Sequence, residues 1–291
     1  MDIWHHLEQQ ISQASGNRFH IRSRQDVGGG CINAAYKVTD ADISYFIKTN
    51  NARYATMFEA EAEALREMAA SASVRVPEPL CYGEFGSQCY VVMEYLELGG
   101  SADMARFGRQ LAAMHRVSAD SFGWRIDNTI GSTPQPNTPT DGWIEFWREQ
   151  RLGFQLQTAA ENGYGGELQR LGERLLADMP ALFVNHQPRP SMLHGDLWGG
   201  NYSALRDGTP VIFDPALYYG DREADLAMTS LFGGFGGQFY RSYNEIWPLD
   251  DGYETRKTFY NIYHIINHLN LFGGGYHAQA ISMLERVLSE L

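Results

Sequence analysis

Apolar residues recur at helical spacing in some stretches and at strand spacing in others. Ile3, Leu7 and Ile11 lie four positions apart and predict an amphipathic helix capped by Asp2. Alternating or short apolar runs predict strands at residues 19–24, 43–49, 80–84, 88–96 and 211–213. Helical spacing predicts further helices at residues 57–68, 102–116, 143–152, 168–179 and 260–272. Strands are therefore concentrated in the first third of the chain, and helices dominate the rest.

The pattern changes after residue 96 in a way that indicates a hinge. The apolar run 89–96 gives way to Leu98-Gly99-Gly100-Ser101, a composition typical of turns. We therefore predict a bilobal α+β fold with a small β-rich N-terminal lobe (residues 1–96) and a larger, mainly helical C-terminal lobe (residues 97–291). Residues 121–141 are rich in Gly, Pro, Thr and Asn and are predicted to form an irregular surface loop.

Composition narrows the class of protein only loosely. The 291 residues are 44% hydrophobic, as is ordinary for a globular protein. The net charge of −12 argues against a nucleic-acid partner, which needs a basic face. The chain starts without a leader-like apolar segment, and no stretch approaches the ~18 apolar residues of a membrane helix, so we expect a cytoplasmic protein without a membrane partner. Three cysteines cannot all pair within one chain, which argues against a disulfide framework.

One short loop combines residues suited to phosphoryl transfer. Within His194-Gly195-Asp196-Leu197-Trp198-Gly199-Gly200-Asn201, an Asp is followed five positions later by an Asn, the layout of a kinase catalytic loop. In such loops the Asp accepts a proton from the substrate hydroxyl and the Asn binds Mg²⁺. Asp214 directly follows the predicted strand 211–213 and supplies a second carboxylate for the metal. Taken alone, this spacing also fits a polar turn beside a strand.

The N-terminal lobe contains candidates for binding nucleotide phosphates. Gly28, Gly29 and Gly30 separate two strand-like runs and predict a loop whose amides cover the phosphates, and a flexible hairpin fits the same residues. Lys48 lies at the end of the next strand, where kinases place their phosphate-binding lysine, and a surface lysine is the alternative. Glu61 shares a face of the following helix with apolar residues, and we predict that it pairs with Lys48.

The predicted hinge supplies candidates for binding the nucleotide base. Backbone groups of Met93, Glu94 and Tyr95 lie where an apolar strand ends, a suitable place for the edge of an adenine ring. The hard oxygen ligands favour Mg²⁺ as a cofactor, and the phosphate and base candidates favour a nucleotide.

Taken together, these segments resemble the fructosamine kinase (ketosamine-3-kinase) family, a branch of the aminoglycoside phosphotransferase-like, protein-kinase-like fold. The resemblance spans nearly the whole chain and is carried by residues 28–33, 46–50, 58–61, 92–96, 194–201, 214–228 and 267–270. Its most specific motifs are His-Gly-Asp-Leu-Trp and Tyr-Tyr-Gly-Asp-Arg-Glu. Gly199 stands where Ser is usual, and Pro215 follows Asp214 where protein kinases have Phe-Gly.

The resemblance implies ATP-dependent phosphorylation of the 3-hydroxyl of a ketoamine, the adduct of a sugar with an amine, in a deglycation repair role. The implied roles are catalytic base for Asp196, metal ligand for Asn201 and Asp214, phosphate clamp for Lys48 with Glu61, and substrate binding for Trp198, Asp221 and Arg222. The charged run that contains Asp221 and Arg222 also fits a helix cap.

Cys31 lies within the glycine-rich segment and suggests a redox switch. A thiol at such a site is open to oxidation, and similar family members with this Cys suggest an intermolecular disulfide, whereas a small side chain filling a turn is the alternative. The expected state is therefore a monomer or a redox-linked homodimer. Two other functions stay open, namely a kinase of the same fold acting on an aminoglycoside, choline or homoserine, and a nucleotide-binding protein without turnover.

Overall fold

The computed structural model describes residues 2–28 and 33–291 of the chain. The helices are α1 (Ile3–Ser15), α2 (Ala55–Ala70), α3 (Met104–His115), α4 (Trp143–Trp147), α5 (Gly153–Glu161), α6 (Glu167–Asp178), α7 (Arg222–Leu231), α8 (Gly237–Ile246), α9 (Tyr253–Phe272) and α10 (Tyr276–Ser289). The strands are β1 (Ser23–Asp26), β2 (Ala34–Asp40), β3 (Ile43–Asn51), β4 (Pro79–Phe85), β5 (Gln88–Glu94), β6 (Asn128–Ile130), β7 (Thr133–Gln135), β8 (Ser191–Leu193), β9 (Tyr202–Ala204), β10 (Pro210–Ile212) and β11 (Tyr218–Gly220).

These elements form two compact units. The first unit contains the residues up to Asp103 together with Ser203–Pro215, and the second contains Met104–Tyr202 together with Ala216–Leu291. The predicted division at residue 96 assigned every later residue to one lobe. In the structure, however, the short segment Ser203–Pro215 returns to the first unit.

Backbone pairing explains why this segment belongs to the first unit. Val211 in β10 forms a parallel bridge with Arg75, and the amide of Ile212 donates to the carbonyl of Arg75 at 3.0 Å. The amides of Gly99 and Gly100 both donate to the carbonyl of Ala204 at 3.1 Å. Asp214 follows β10 directly, so these bonds position its side chain within the first unit.

The first unit is built on a five-stranded antiparallel sheet in the order β1-β2-β3-β5-β4. One face of this sheet packs against α1, where Ile47 and its cross-strand partner Val92 are buried with Leu7 and Ile11. Because successive side chains on a strand point to opposite faces, Lys48 lies on the other face from Ile47. The alternation of side chains along β3 therefore places core residues on one face of the sheet and the candidate Lys48 on the other.

The predicted start of the chain is confirmed only in part. The α1 helix forms as predicted, and the Asp2 side chain caps it by accepting a hydrogen bond from the amide of His5 at 2.9 Å. The predicted strand at residues 19–24 is confirmed only for its last two residues, because pairing with β2 begins at Ser23. Phe19 is buried against α1, and its amide donates to Ser12 Oγ at 2.9 Å. The apolar alternation there reflects packing on a helix.

The second unit is mainly helical. Helix α9 lies at its centre and packs against α5, α7 and α10, while α3 packs against α8. Polar side chains along α9 reach neighbouring segments, because Tyr263 donates to Gln135 Oε1 at 2.7 Å and Asn261 donates to the carbonyl of Ala227 at 3.0 Å. Tyr263 and Asn261 of this helix thus satisfy buried polar groups of neighbouring segments.

The prediction of an irregular surface loop at residues 121–141 is wrong in its central part. Strands β6 and β7 form a short antiparallel hairpin there, and Asn128, Gln135 and Asn137 are buried. Asn128 donates to the carbonyl of Leu217 at 2.8 Å, and Gln135 donates to that of Ala216 at 3.1 Å. The Asn-rich composition therefore serves a buried network that supports the backbone before β11.

Within the described residues, no helix combines the length and the apolar character needed to cross a lipid bilayer.

Candidate active site

The His-Gly-Asp loop begins where the buried strand β8 ends at Leu193. Gly195 has φ of 83°, and a Cβ at this position would lie 2.0 Å from the carbonyl oxygen of Ala216. Only glycine fits both the left-handed backbone and this close approach. The amide of Ala216 in turn donates to the carbonyl of His194 at 2.9 Å. The geometry at the start of the loop is thus set by backbone packing on both sides of Gly195.

Asp225 anchors this loop through hydrogen bonds to its backbone amides. Its buried carboxylate accepts hydrogen bonds from the amides of His194 at 2.7 Å and Gly195 at 2.8 Å. The Nε2 atom of His115 lies 3.2 Å from the same carboxylate. Burial alone would raise the pKa of Asp225, but the His115 hydrogen bond and charge, with smaller effects of His194 and the Gly195 amide, lower it. The carboxylate is therefore kept ionised as a backbone anchor.

The sequence pattern had not identified Asp225 or His115 as site residues. Asp225 belongs to a charged run that fits a helix cap, although it is directly flanked by Ala224 and Leu226 in an apolar helix turn. A carboxylate between apolar neighbours on a buried helix needs an internal partner. That signal was present in the sequence, but only the fold identifies the partner.

Asp196 and Asn201 are brought together within the loop. The Asn201 side-chain amide donates to the Asp196 carbonyl at 2.8 Å and to Asp196 Oδ2 at 3.1 Å. Because the amide nitrogen is used in this way, the Asn201 side-chain oxygen is the atom available as a hard ligand. This donor set fits Mg²⁺, which prefers oxygen ligands. Asn201 therefore orients Asp196 and keeps a side-chain oxygen that is suited to a metal.

Lys48 and Glu61 are buried and form an ion cluster with the half-exposed Asp214 in the first unit. Lys48 Nζ lies 2.6 Å from Glu61 Oε1 and 2.5 Å from Asp214 Oδ1. Burial alone would lower the pKa of Lys48, but the charges of Asp214 and Glu61 and the hydrogen bonds to them raise it. The lysine is therefore a permanent cation, as phosphate binding requires. The predicted pairing of Lys48 with Glu61 is present in the structure.

Asp214 has an unusual backbone conformation. Its φ is 58°, one of few positive values for a non-glycine residue in the described chain, and its side chain is half exposed. A left-handed conformation of such a residue costs energy and is retained where the surroundings enforce it, often at functional sites. One carboxylate oxygen contacts Lys48. The exposed carboxylate is therefore suited to take part in metal binding as well.

The predicted base-binding residues lie at the end of β5. Met93 is buried, and the amide of Glu94 donates to the carbonyl of Glu78 at 2.8 Å. The Glu94 carboxylate pairs with Arg75, while Lys37 Nζ lies 4.1 Å from the centroid of the Tyr95 ring. The Glu94 amide is thus already used, so the contribution of this hinge to base binding stays a prediction.

The glycine-rich segment is only partly described. Gly28 is exposed and follows Val27, whose amide donates to the carbonyl of Ala35 at 2.9 Å. A Cβ at Gly28 would meet no atom within 4 Å among the described residues. The candidates Gly29, Gly30 and Cys31 lie outside the described residues, so the phosphate loop and the redox switch stay predictions.

Trp198 extends from the loop two positions after Asp196 and is 38% exposed. A Cβ at Gly200 would lie 2.3 Å from its indole ring, so glycine at 200 is needed for this ring orientation. A Cβ at Gly199 would meet nothing within 4 Å, so the structure leaves room for a side chain at this position. An exposed indole two positions from the candidate carboxylate Asp196 is suited to pack against the apolar face of a sugar.

Asp221 and Arg222 lie elsewhere in the second unit. Gly220 in β11 pairs with Ser191 at the start of β8, whereas the catalytic loop follows the other end of that strand, roughly 10 Å away. Asp221 caps α7 and accepts from Tyr260 at 2.6 Å, and Arg222 donates to the carbonyl of Trp247 at 2.8 Å. Both side chains are buried with internal partners. The structure thus does not bring these two predicted substrate residues to Asp196.

His186 links Asp221 to the segment before α9. Its Nε2 lies 2.7 Å from Asp221 Oδ2, and its Nδ1 lies 2.6 Å from Asp250 Oδ2. Burial alone would lower the pKa of His186, but the hydrogen bonds and charges of Asp221, Glu223 and Asp250 raise it to about 9. With a carboxylate at each ring nitrogen, the imidazolium form donates to both.

We expect this bridge to lose its stabilising effect in alkaline solution. A group whose folded pKa is raised stabilises the fold fully below its unfolded value and loses that effect as pH rises through the folded pKa, here about 9. His186→Gln should therefore lower the unfolding free energy by on the order of 2 kcal/mol at about pH 6 and much less at about pH 10. Denaturant titrations at both pH values measure this, with exposed His5→Gln as the control. A deficit of equal size at both pH values would contradict the imidazolium bridge.

The fold and the site together define a class of protein. A solved aminoglycoside phosphotransferase, in a ternary complex with ADP and hygromycin B, covers 97% of this chain and 98% of its own with a TM-score of 0.66 at 13% identity, which shows the shared fold. A crystal structure assigned to a fructosamine-3-kinase of Haemophilus somnus reaches a TM-score of 0.89 at 29% identity and covers 99% of this chain and 100% of its own. The predicted protein-kinase-like fold is thereby confirmed, and the class is that of the small-molecule kinases.

The sequence match is more specific than the fold. The fructosamine kinase family matches residues 3–290, and the chain belongs to this family. A "probable ketoamine kinase" of Synechocystis sp. is 48% identical over 288 residues, which cover 98% of this chain and 97% of the relative. The chloroplastic protein-ribulosamine 3-kinase of Arabidopsis thaliana is 44% identical over 281 residues, which cover 95% and 86%. Family membership makes this chain a phosphotransferase that uses ATP.

Proposed function

We propose that this chain transfers the γ-phosphoryl group of ATP to the 3-hydroxyl of ketosamines, as a deglycation repair activity. The observation that carries the proposal is the loop in which Asn201 orients the Asp196 carboxylate beside the exposed indole of Trp198. A carboxylate next to an apolar ring suits a sugar alcohol, because the ring packs on the carbons while the carboxylate accepts from the hydroxyl. The relatives named for ketoamines and ribulosamines support this acceptor class.

Each residue has a defined task in the proposed reaction. Asp196 accepts the proton of the 3-hydroxyl as that oxygen bonds to the γ-phosphorus and the bond to the β-phosphate oxygen breaks, so the products are ADP and the 3-phosphate. Lys48, held by Glu61, neutralises phosphate charge. Asn201 and Asp214 are the proposed Mg²⁺ ligands. The bound metal would neutralise charge on the phosphates.

Measurement of ADP release tests the acceptor. The full chain is assayed with fructosamines, ribulosamines and erythrulosamines and, in parallel, with an aminoglycoside, choline and homoserine, each with Mg²⁺ and with a chelator. We expect ADP release that depends on both a ketosamine and Mg²⁺, and that exceeds release with the other alcohols by at least ~10²-fold in kcat/KM. Equal or faster turnover of another alcohol would assign the chain to a different acceptor. ADP release below background with every acceptor would favour a nucleotide-binding protein without turnover.

A further inference from the structure

Five rings in the second unit form a continuous surface that starts at the catalytic loop. We call Trp198, Phe232, His268, Phe272 and Tyr276 the aromatic cluster. The ring centroids of Trp198 and Phe232 are 6.2 Å apart, and those of Phe232 and His268 are 5.0 Å apart. His268 also lies 5.6 Å from Phe272 and 5.2 Å from Tyr276. The cluster joins the loop, the end of α7, the end of α9 and the start of α10.

The aromatic cluster is exposed to an unusual degree. Five large apolar side chains of the second unit are exposed, and three of them, Trp198, Phe232 and Phe272, belong to this cluster. Scattered exposed apolar residues are normal, but rings in mutual contact at one place mark a binding surface. Phe272 is 64% exposed although it lies at the end of a helix whose other residues build the core. Packing in the core of the unit therefore does not explain why these rings lie together at the surface.

The cluster is continuous with the catalytic carboxylate. Trp198 is two residues from Asp196 in the loop. Tyr263 belongs to the same helix as His268, and burial raises its pKa to about 12 with a small contribution from the charge of Asp196. The Trp198 end of the cluster therefore belongs to the same short loop as the carboxylate that is proposed to bind the hydroxyl.

The chemistry of a ketosamine suits such a surface. Its nitrogen is a secondary amine, protonated at neutral pH, that is separated from the 3-hydroxyl only by carbons 1, 2 and 3 of the sugar. Aromatic faces attract cations, and ammonium groups are commonly bound by several rings acting together. The net charge of −12 also attracts a cationic substrate to the chain.

The His268 ring is uncharged, and an uncharged ring permits a cation nearby. Its Nδ1 lies 2.8 Å from the carbonyl of His264, and since a carbonyl only accepts, Nδ1 carries the hydrogen. Burial lowers the pKa of His268, so the ring is neutral at neutral pH. Its Nε2 then presents a lone pair, and among the described residues this atom has no hydrogen-bond donor. A neutral ring with an acceptor nitrogen fits an ammonium N–H.

We infer that the aromatic cluster is the subsite for the secondary ammonium and the adjoining amine carbons of the ketosamine, and that it distinguishes a ketosamine from an uncharged sugar. This inference rests on the proposed function and extends it from the sugar to the amine part of the substrate. Trp198 is shared between the sugar and the ammonium, whereas Phe232, Phe272 and Tyr276 bind on the amine side.

The test compares two substrates with the same sugar and alkyl group, one with a charged nitrogen and one with a neutral nitrogen. The full chain is assayed with the ribulosamine of an alkylamine and with its N-acetyl derivative, in which the nitrogen is neutral. Phe232→Leu and the more exposed Phe272→Leu keep apolar volume but remove the ring. Each of these two variants should lower kcat/KM for the ribulosamine by about 10-fold, mainly by raising KM. The value of kcat/KM for the N-acetyl derivative should change by less than about 2-fold. Val184→Ala, at an exposed apolar residue outside the cluster, is the control.

Each outcome decides between the alternatives. Loss of equal size on both substrates, or an unchanged preference for the charged one in both variants, would show that the rings only pack, and would overturn the inference alone. Wild-type protein that phosphorylates no ketosamine would overturn the proposed function and the inference with it. The inhibition constant of a secondary alkylammonium ion provides a readout without turnover, and it should rise in both ring variants.

Discussion

Replacing Asp196 with Asn should lower kcat by at least ~10²-fold while leaving the affinity for ATP nearly unchanged. The amide has almost the shape of the carboxylate but cannot accept the proton of the substrate hydroxyl. The loop should keep its conformation, because the amides of His194 and Gly195 are held by Asp225. The effect is therefore expected on the chemical step and not on nucleotide binding, for which we propose Lys48 with Glu61.

Steady-state kinetics with a ketosamine, together with titration of ATP binding, measure this effect. Glu173→Gln, which removes an exposed carboxylate of the same unit from α6, is the matched control and should behave as wild type. If the Asp196→Asn protein keeps kcat within about 3-fold of wild type, the role of Asp196 as the base must be abandoned.

Replacing Asp225 with Ala should destabilise the second unit and reduce activity together. The substitution leaves two buried amides and His115 without their acceptor, and each unsatisfied group costs about 1–3 kcal/mol. For a protein of this size we expect Tm to fall by about 10 °C. Because the same amides fix the loop that carries Asp196, kcat should fall by at least ~10-fold even well below the new Tm.

Calorimetry and kinetics at a temperature where the variant is folded separate these two effects. Asp225→Asn keeps one acceptor oxygen and should lose less on both measures. The Glu173→Gln protein again serves as the surface control. An Asp225→Ala protein with Tm within about 2 °C of wild type would show that the loop does not depend on this carboxylate.

Local chemistry explains why some functional residues were predictable. Lys48 was placed correctly because a strand of alternating residues ending in Lys, followed by a helix with Glu61 on its apolar face, limits the partners the lysine can reach. The Asp196 and Asn201 pair was predictable because both lie in one short loop, where spacing in the sequence is close to spacing in space. In both cases the relevant contacts are short in sequence or follow from regular periodicity.

Other assignments failed because sequence neighbours are not neighbours in function. Asp221 and Asp225 belong to one charged run, yet Asp221 caps α7 at the far end of β8 while Asp225 holds the catalytic loop. The two aspartates are only one helical turn apart, yet they have different roles. The alternation at residues 19–24 likewise fits a strand, but Phe19 packs against α1. Local periodicity reports which side of a segment is apolar and does not report what covers it.

The amino-acid sequence by itself determined the fold class, the short loop that holds Asp196 and Asn201 and the lysine that pairs with Glu61, since these depend on periodicity and on residues close together in the chain. Only the tertiary structure decided that Ser203–Pro215 returns to the first unit, that Asp225 supports the loop, and that rings from four separate segments meet beside Trp198. Those features depend on contacts between residues far apart in the chain. Such contacts are selected by the packing of whole helices and strands, and no local pattern encodes them.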